Sequence, residues 1–518
     1  MRNILEYLEN SAEKYGSKTA AKDDKTSCTY QELKEKAQET GSFLADELTV
    51  RKPVVCFMEK SVEALQCFMG IVYAGDFYVL VDPNFPLERI RQIFSVLQPE
   101  VVLTQEQYQE KLAQTGYAGK VFLEAEAKKP VNTEKLAQIR SQTLDTDPLY
   151  SIFTSGSTGI PKGVLICHRS VIDFIDHFTA AFNIDETDVI GNQAPFDFDV
   201  SVKDIYSCLK TGATLIIIPK SCFMFPNAVI DMLEENHVTI LIWAVSALVL
   251  LNRLHGLKYK VPADIRTIMF SGELMPVKQL NQWRSYYPDA AFVNLYGPTE
   301  ITCNCTYYIL DREFSEEEKL PMGQPFANER VFLLDGDDEV TEPDHPAEVC
   351  VAGTALALGY YNNPEMTEKA FVQNPLNKNW AEVIYRTGDL AYYGKDHMLY
   401  FAGRKDFQIK HMGHRIELEE IERSMTALDG VEKSCCVFDM EKNRIMGFYL
   451  GEKAASDVRK QMKEKLPVYM VPTKLIQVDE MPLNKNGKTD RNYFKNYGKN
   501  KGCTLGFERS SIRKEKIL

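Results

Sequence analysis

At 518 residues the chain is longer than one hydrophobic core ordinarily organises, so two or more domains are expected. Its composition, 44% hydrophobic and 26% charged, is that of a soluble globular protein. A net charge of −13 argues against nucleic-acid binding, which needs a basic footprint.

The first 150 residues read as alternating helices and short strands. Ile4, Leu5, Leu8 and Ala12 share a helix face, and 30–48 reads as a second helix. Pro53–Phe57 and Glu100–Leu103 are buried-strand candidates, and this βαβ rhythm predicts a mostly parallel sheet covered by helices. The charged stretch 124–147 reads as an exposed helix and connector. Met1–Leu8 places Glu6 where a signal peptide would be apolar, so export is not expected. The longest apolar run, 240–251, contains Ser246 and falls short of the roughly 20 residues of a membrane span. Twelve cysteines in a chain this long do not make a disulfide framework, and neither Cys303-x-Cys305 nor Cys435-Cys436 has zinc-knuckle spacing. They read as reduced thiols, which points to a cytoplasmic setting.

The next stretch carries chemistry. Thr154-Ser155-Gly156-Ser157-Thr158-Gly159-Ile160-Pro161-Lys162-Gly163 lies between two apolar strand candidates, 150–153 and 164–166. Its hydroxyls, glycines and lysine have no packing task. Glycines bring backbone N–H groups close to a ligand, and hydroxyls and a lysine add donors, so the loop is built to grip phosphate. It is not a Walker A loop, because Pro161 stands where that pattern needs its second glycine.

This loop resembles the phosphate signature of the adenylate-forming superfamily, which includes acyl-CoA synthetases, luciferases and the adenylation domains of non-ribosomal peptide synthetases. Further segments resemble that group's motifs in its order, across roughly residues 74–491. Ala74–Pro83 is similar to its early segment, and Ala194–Tyr206 to the region that binds the activated acid. There Asp199, preceded by Phe198, matches the aspartate that binds the α-ammonium of an amino-acid substrate. Thr267–Glu273, with Gly272 and Glu273, is similar to a strand-to-glycine turn beneath the nucleotide.

Asn294-Leu295-Tyr296-Gly297-Pro298-Thr299-Glu300 is similar to the most specific motif of the family. The resemblance implies Tyr296 on adenine, the Asn294 amide at the adenine edge, Thr299 on phosphate and Glu300 on Mg²⁺, with Gly297 in the turn. Met322–Pro325 and Ala347–Asn362 resemble the antiparallel part that closes the large domain, and are expected to be structural turns. In Tyr385–Leu390, Asp389 would accept the ribose hydroxyls. Arg404 belongs to the nucleotide set, and Asp406 is the expected hinge. Lys410 takes the place of a second family lysine. Gly413 would lie on the pantetheine path, and His414 is expected to pack at a helix entry. Lys488, in 483–491, takes the place of the catalytic lysine.

The resemblance implies an α/β, multi-domain fold. A large N-terminal domain (1–404) would combine α/β subdomains with a β-rich one. A small mobile α+β domain (405–495) and a flexible tail (496–518) would follow. The implied reaction joins an amino acid to AMP from ATP, with Mg²⁺, and then passes it to a phosphopantetheine thiol. Thr154, Lys410, Lys488 and Glu300 would be catalytic. The chain holds no Gly-Gly pair of the kind a carrier-domain serine motif needs, so a separate carrier protein is the expected partner of a monomeric enzyme.

That layout resembles the D-alanine–carrier-protein ligases, with an acyl- or aryl-acid–CoA ligase as the alternative. By family position the side-chain pocket would be lined by Val200, Lys203, Ile242, Met269, Ser271, Leu295, Cys303 and Asn304. Ser271 and Lys203 depart from the D-alanine pattern. Two orientations of Lys203 stay open: inward, selecting an acidic or strongly polar side chain, or outward to solvent.

Overall fold

The computed structural model describes residues 1–156, 159–440, 442–483 and 489–497. They form a large unit, 1–156 with 160–415, and a small unit that begins at Ile416. The division between Arg415 and Ile416 lies beyond the boundary expected at 404/405 and beyond Asp406.

In the large unit, one seven-stranded sheet grows from continuous apolar runs. Pro53–Phe57, Phe77–Leu80 and Val101–Thr104 are buried along their whole length and pair in parallel, as strands covered on both faces must. The helix Tyr30–Glu47 starts at a capping box: the Thr29 hydroxyl accepts from the Glu32 N–H, and the Glu32 carboxylate accepts from the Thr29 N–H. At the sheet's other side Pro148–Thr154 and Lys162–Cys167 run antiparallel, with Thr154 opposite Lys162. The stretch expected to grip phosphate therefore joins the two strands of a hairpin.

A nine-stranded sheet carries the second half. Ile240–Ala244, Thr267–Ser271 and Ala291–Tyr296 are parallel neighbours, with Ile242 beside Met269 and Met269 beside Val293. Side chains alternate along a strand, so Ile242, Met269, Ser271, Val293 and Leu295 share one face. Leu241, Trp243, Ile268 and Phe270 go to a separate core on the other face. The helix Val200–Thr211 lies against Ile240–Ala244, and every residue from Val200 to Leu209 is buried.

The third sheet is antiparallel and six-stranded, built around Ala347–Gly353 and the long strand Val383–Tyr393. Two segments expected there lie elsewhere. Gln324–Pro325 edges the nine-stranded sheet, and Gly359–Tyr360 edges the seven-stranded one, against Val164 and Leu165. Each is only two residues long, enough to extend an existing edge but not to build a sheet of its own.

The small unit is α+β. Val431–Asp439 and Arg444–Gly451 are antiparallel, Lys474–Gln477 joins in parallel, and the helices include Leu418–Thr426 and Ala455–Lys465. Among the described residues no helix is long and apolar enough to cross a membrane.

Candidate active site

The hairpin register sets the first half of the site. Because Thr154 faces Lys162 across the turn, the lysine starts at the root of the phosphate loop and reaches inward. Its Nζ lies 3.0 Å from Oε1 of Glu300, 3.1 Å from the Tyr360 hydroxyl and 4.4 Å from that ring's centre. Glu300 is fully buried, and its Oε1 also accepts from the Tyr360 hydroxyl at 2.8 Å. Its Oε2 accepts from Nη1 of Arg415 at 2.6 Å. Burial would raise this carboxyl's pKa, but the Arg415 and Lys162 cations outweigh that and hold it well below the usual range.

Arg415 is tied on three sides. Its Nε donates to Gln408 Oε1 at 2.5 Å, and its carbonyl accepts from the Ser155 hydroxyl at 2.6 Å. Thr154 Oγ1 is buried and has no partner among the described residues.

Several residues expected at the nucleotide are brought together by the strands Ala291–Tyr296, Val383–Tyr393 and Leu399–Arg404. The Tyr296 hydroxyl donates to Asp389 Oδ2 at 2.6 Å, and Arg404 Nη1 donates to Asp389 Oδ1 at 2.5 Å. Arg404 also forks onto Asp406 at 2.6 and 2.7 Å, so the expected hinge residue holds this arginine in place. Lys410 Nζ sits 5.5 Å from the centre of the Tyr296 ring, and burial pushes its pKa down. The Asn294 amide donates to the Pro321 carbonyl at 2.7 Å. Gly272 turns the chain with φ +91°, a conformation glycine adopts freely. Glu273, just after it, accepts from the Gly413 N–H at 2.5 Å.

Gly297 is required for a different reason. A Cβ there would stand 2.5 Å from the Cα of Asn304, so only glycine lets 303–305 approach the strand end. At the entry to that segment Thr302 and Cys303 hold left-handed φ values of +54° and +88°, unusual for non-glycine residues. The Thr302 hydroxyl fixes the turn through the Ala355 carbonyl at 2.6 Å.

The acid-binding side is built by the buried helix and the sheet face beneath it. Ile242, Met269, Leu295 and Cys303 are buried in one core, and Ser271 follows Met269 on the same face. Asp199 opens the helix and Val200 follows it inward. The Asp199 carboxyl's pKa is raised by burial, an effect partly offset by the Thr299 hydroxyl, Lys203 and Lys410. Phe198 packs edge-on against His414, ring centres 4.6 Å apart. Burial pushes the His414 imidazole down to about 3, so it stays neutral; it opens the strand His414–Glu417, which leads into the helix Leu418–Thr426. Lys203 does not turn to solvent. It is fully buried, and its Nζ donates to Asn304 Oδ1 at 2.6 Å.

Ser157, Thr158 and Lys488 lie outside the described residues. The residues that sequence reasoning left without a role are Arg415 and Tyr360, both present in segments it quoted. The available signal was a rule of charge: a buried phosphate-site carboxylate such as Glu300 needs cations and hydroxyls around it. Mg²⁺ fits the chemistry of the donors. A hard cation held on nucleotide phosphates commonly takes just one or two protein oxygens. Glu300 would supply the carboxylate and Thr154 an oxygen.

A cation-lined phosphate hairpin beside a carboxylate–tyrosine–arginine cluster, on two α/β sheets and a β-rich one, defines an enzyme that activates its substrate with a nucleotide. Residues 8–361 match the family described as AMP-binding enzyme, and residues 420–488 match the AMP-binding enzyme C-terminal domain. The chain belongs to the AMP-binding enzyme family and is an adenylate-forming ligase. It is 32% identical to zwittermicin A synthase ZmaJ of Bacillus cereus, over 90% of each chain. It is 30% identical to tyrocidine synthase 1 of Brevibacillus parabrevis, covering 95% of this chain but 44% of that one. The chain thus spans less than half the length of that synthase. The solved structure of holo-PA1221, a protein containing adenylation and PCP domains, has the same fold, with TM-score 0.81 and 21% identity. That likeness covers 95% of this chain and 84% of PA1221.

Proposed function

We propose that this ligase activates an amino acid as its aminoacyl adenylate, releasing pyrophosphate, and then transfers it to the phosphopantetheine thiol of a separate carrier protein. The observation that carries this reading is Asp199. It is a half-buried carboxylate beside the sheet face that carries Ile242, Met269 and Leu295, and no cation among the described residues comes within ion-pairing distance of it. A substrate α-ammonium completes such a group, whereas a fatty or aryl acid leaves it uncompensated. The names of the relatives and the adenylation–PCP pairing of PA1221 support the carrier step.

In this reading the substrate carboxylate attacks the α-phosphate of ATP. Lys162 and the loop hydroxyls hold phosphate oxygens, and Asp389 receives the ribose. Tyr296 and Lys410 face the nucleotide. Glu300 and Thr154 would hold Mg²⁺, which when bound neutralises charge on the phosphates. By family resemblance Lys488 stabilises the charge that grows between carboxylate and phosphate. Asp406 is the proposed pivot between the two steps, and Gly413 the proposed passage for the thiol arm.

ATP–pyrophosphate exchange tested with all L- and D-amino acids, alongside aryl and fatty acids, checks the first step. Exchange with an amino acid alone is expected. Exchange confined to aryl or fatty acids would establish the CoA-ligase alternative, and silence with every acid would overturn the reading. Mass gain on a phosphopantetheinylated carrier protein checks the second step.

A further inference from the structure

The charges around Lys203 reach beyond the choice of an amino acid. The helix Val200–Thr211 is buried on all sides, yet it carries an ammonium one turn from Asp199 and on the same face. The groups that touch this ammonium are neutral. Asn304 Oδ1 accepts at 2.6 Å, and the Cys303 thiol alongside is pushed up to about 12 by burial, so it carries no negative charge. The carboxyl next in sequence, Asp204, looks elsewhere: its Oδ2 accepts from Asn192 at 2.6 Å and its Oδ1 has no partner. Burial raises its pKa to about 7, which weakens it further as a counter-charge.

Among the described residues, no carboxylate oxygen comes within ion-pairing distance of Lys203 Nζ. An ammonium enclosed this way is costly until an anion meets it. A lysine has three donors, and a neutral amide with a weak thiol leaves capacity for a strong acceptor. The supporting turn holds Thr302 and Cys303 in left-handed backbone just ahead of Asn304, and Gly297 leaves room for it.

We infer that the activated substrate is an amino acid with a carboxylate side chain, its α-ammonium on Asp199 and its side-chain carboxylate on Lys203 and Asn304. This rests on the amino-acid reading of the site. The two protein charges, one negative and one positive, are then each matched by the opposite charge on one ligand. The reacting α-carboxylate stays free for the phosphate. Alanine, in either hand, would leave the ammonium unmatched, which weighs against the D-alanine-type ligase.

Exchange rates for aspartate, glutamate and 2-aminoadipate, each beside its amide or an uncharged analogue of equal size, test the inference. In the wild type one of the acids is expected to exceed its neutral counterpart by about 100-fold in kcat/KM, since a site built for a charged group rejects the analogue lacking it. Lys203→Met is expected to erase that preference through the KM of the amino acid and to leave the KM of ATP unchanged. Lys203→Arg should retain part of it. Should Lys203→Met fail to fold, the wild-type ranking decides alone. If a neutral or basic amino acid is preferred, the inference falls and the amino-acid reading stands. If no amino acid supports exchange, both fall.

Discussion

Glu300 and Asp199 are both carboxylates of the large unit, and they are treated in opposite ways. Glu300 receives two cations and a tyrosine hydroxyl at 2.6–3.0 Å, and its pKa is held low. Among the described residues no cation reaches Asp199 at that range, and burial raises its pKa. The first carboxylate is complete within the protein, so its charge holds the structure together as well as serving the nucleotide. The second is incomplete, and the chain is arranged so that a ligand completes it. Saturation by the protein marks the permanent part of the site, and its absence marks the place for the substrate.

The strongest way to break this contrast is Glu300→Gln. It removes the charge that faces Lys162 and Arg415, and leaving one member of a buried ion pair unmatched costs about 3–5 kcal/mol. A lower urea midpoint is expected together with a loss of roughly 1000-fold in pyrophosphate exchange. A variant as stable as wild type would show that Glu300 is not a structural charge. Acid provides a second probe. His168 is buried with its Nδ1 accepting from the Ile4 N–H, and burial pushes its pKa from 6.5 down to about 4. The neutral form suits the folded state, so stability is full above pH 6.5 and falls as the pH drops towards 4. The loss is about 3 kcal/mol. Urea midpoints from pH 7 to 4 should show this slope, flattened in His168→Gln. That separates acid effects on the fold from those on the site.

Asp199→Asn sharpens the comparison from the other side. The KM of the amino acid should rise by roughly 100-fold while the KM of ATP holds. Because no protein cation is orphaned, the urea midpoint should not fall. A destabilised Asp199→Asn would mean this charge too is structural. The smallest effect is the control: Thr29→Ala removes a helix cap far along the chain and should cost about 1 kcal/mol with unchanged exchange.

The architecture was readable because apolar runs such as 53–57 and 101–104 admit few alternatives to a buried parallel strand. The order of the motifs supplied the rest. Asp389 and Tyr296 were legible as a site, but their shared hydrogen bond was not, because 93 residues separate them. Tyr360 was read as part of a turn, since a two-residue strand has no periodicity to betray which sheet it joins. Lys203 left two orientations open because a lysine in a helix turns outward by default. Only the helix's complete burial decides it. Arg415 was visible as a residue but not as a partner, since nothing local announces a contact with a residue 115 positions earlier.

That last distance bears on how the protein is made. Glu300 is synthesised well before Tyr360 and Arg415, two of the groups that make its burial tolerable. Until the ribosome has delivered Arg415, the 3₁₀ turn Thr299–Ile301 has an acid to bury and only part of its compensation. A chain of 361 residues holds Lys162 and Tyr360 for one oxygen of Glu300 but lacks Arg415, the partner of the other. A nascent chain arrested before residue 415 should remain open to protease at this turn, and one released beyond it should become resistant. Completion of the Glu300 cluster thus waits for the last residue of the large unit.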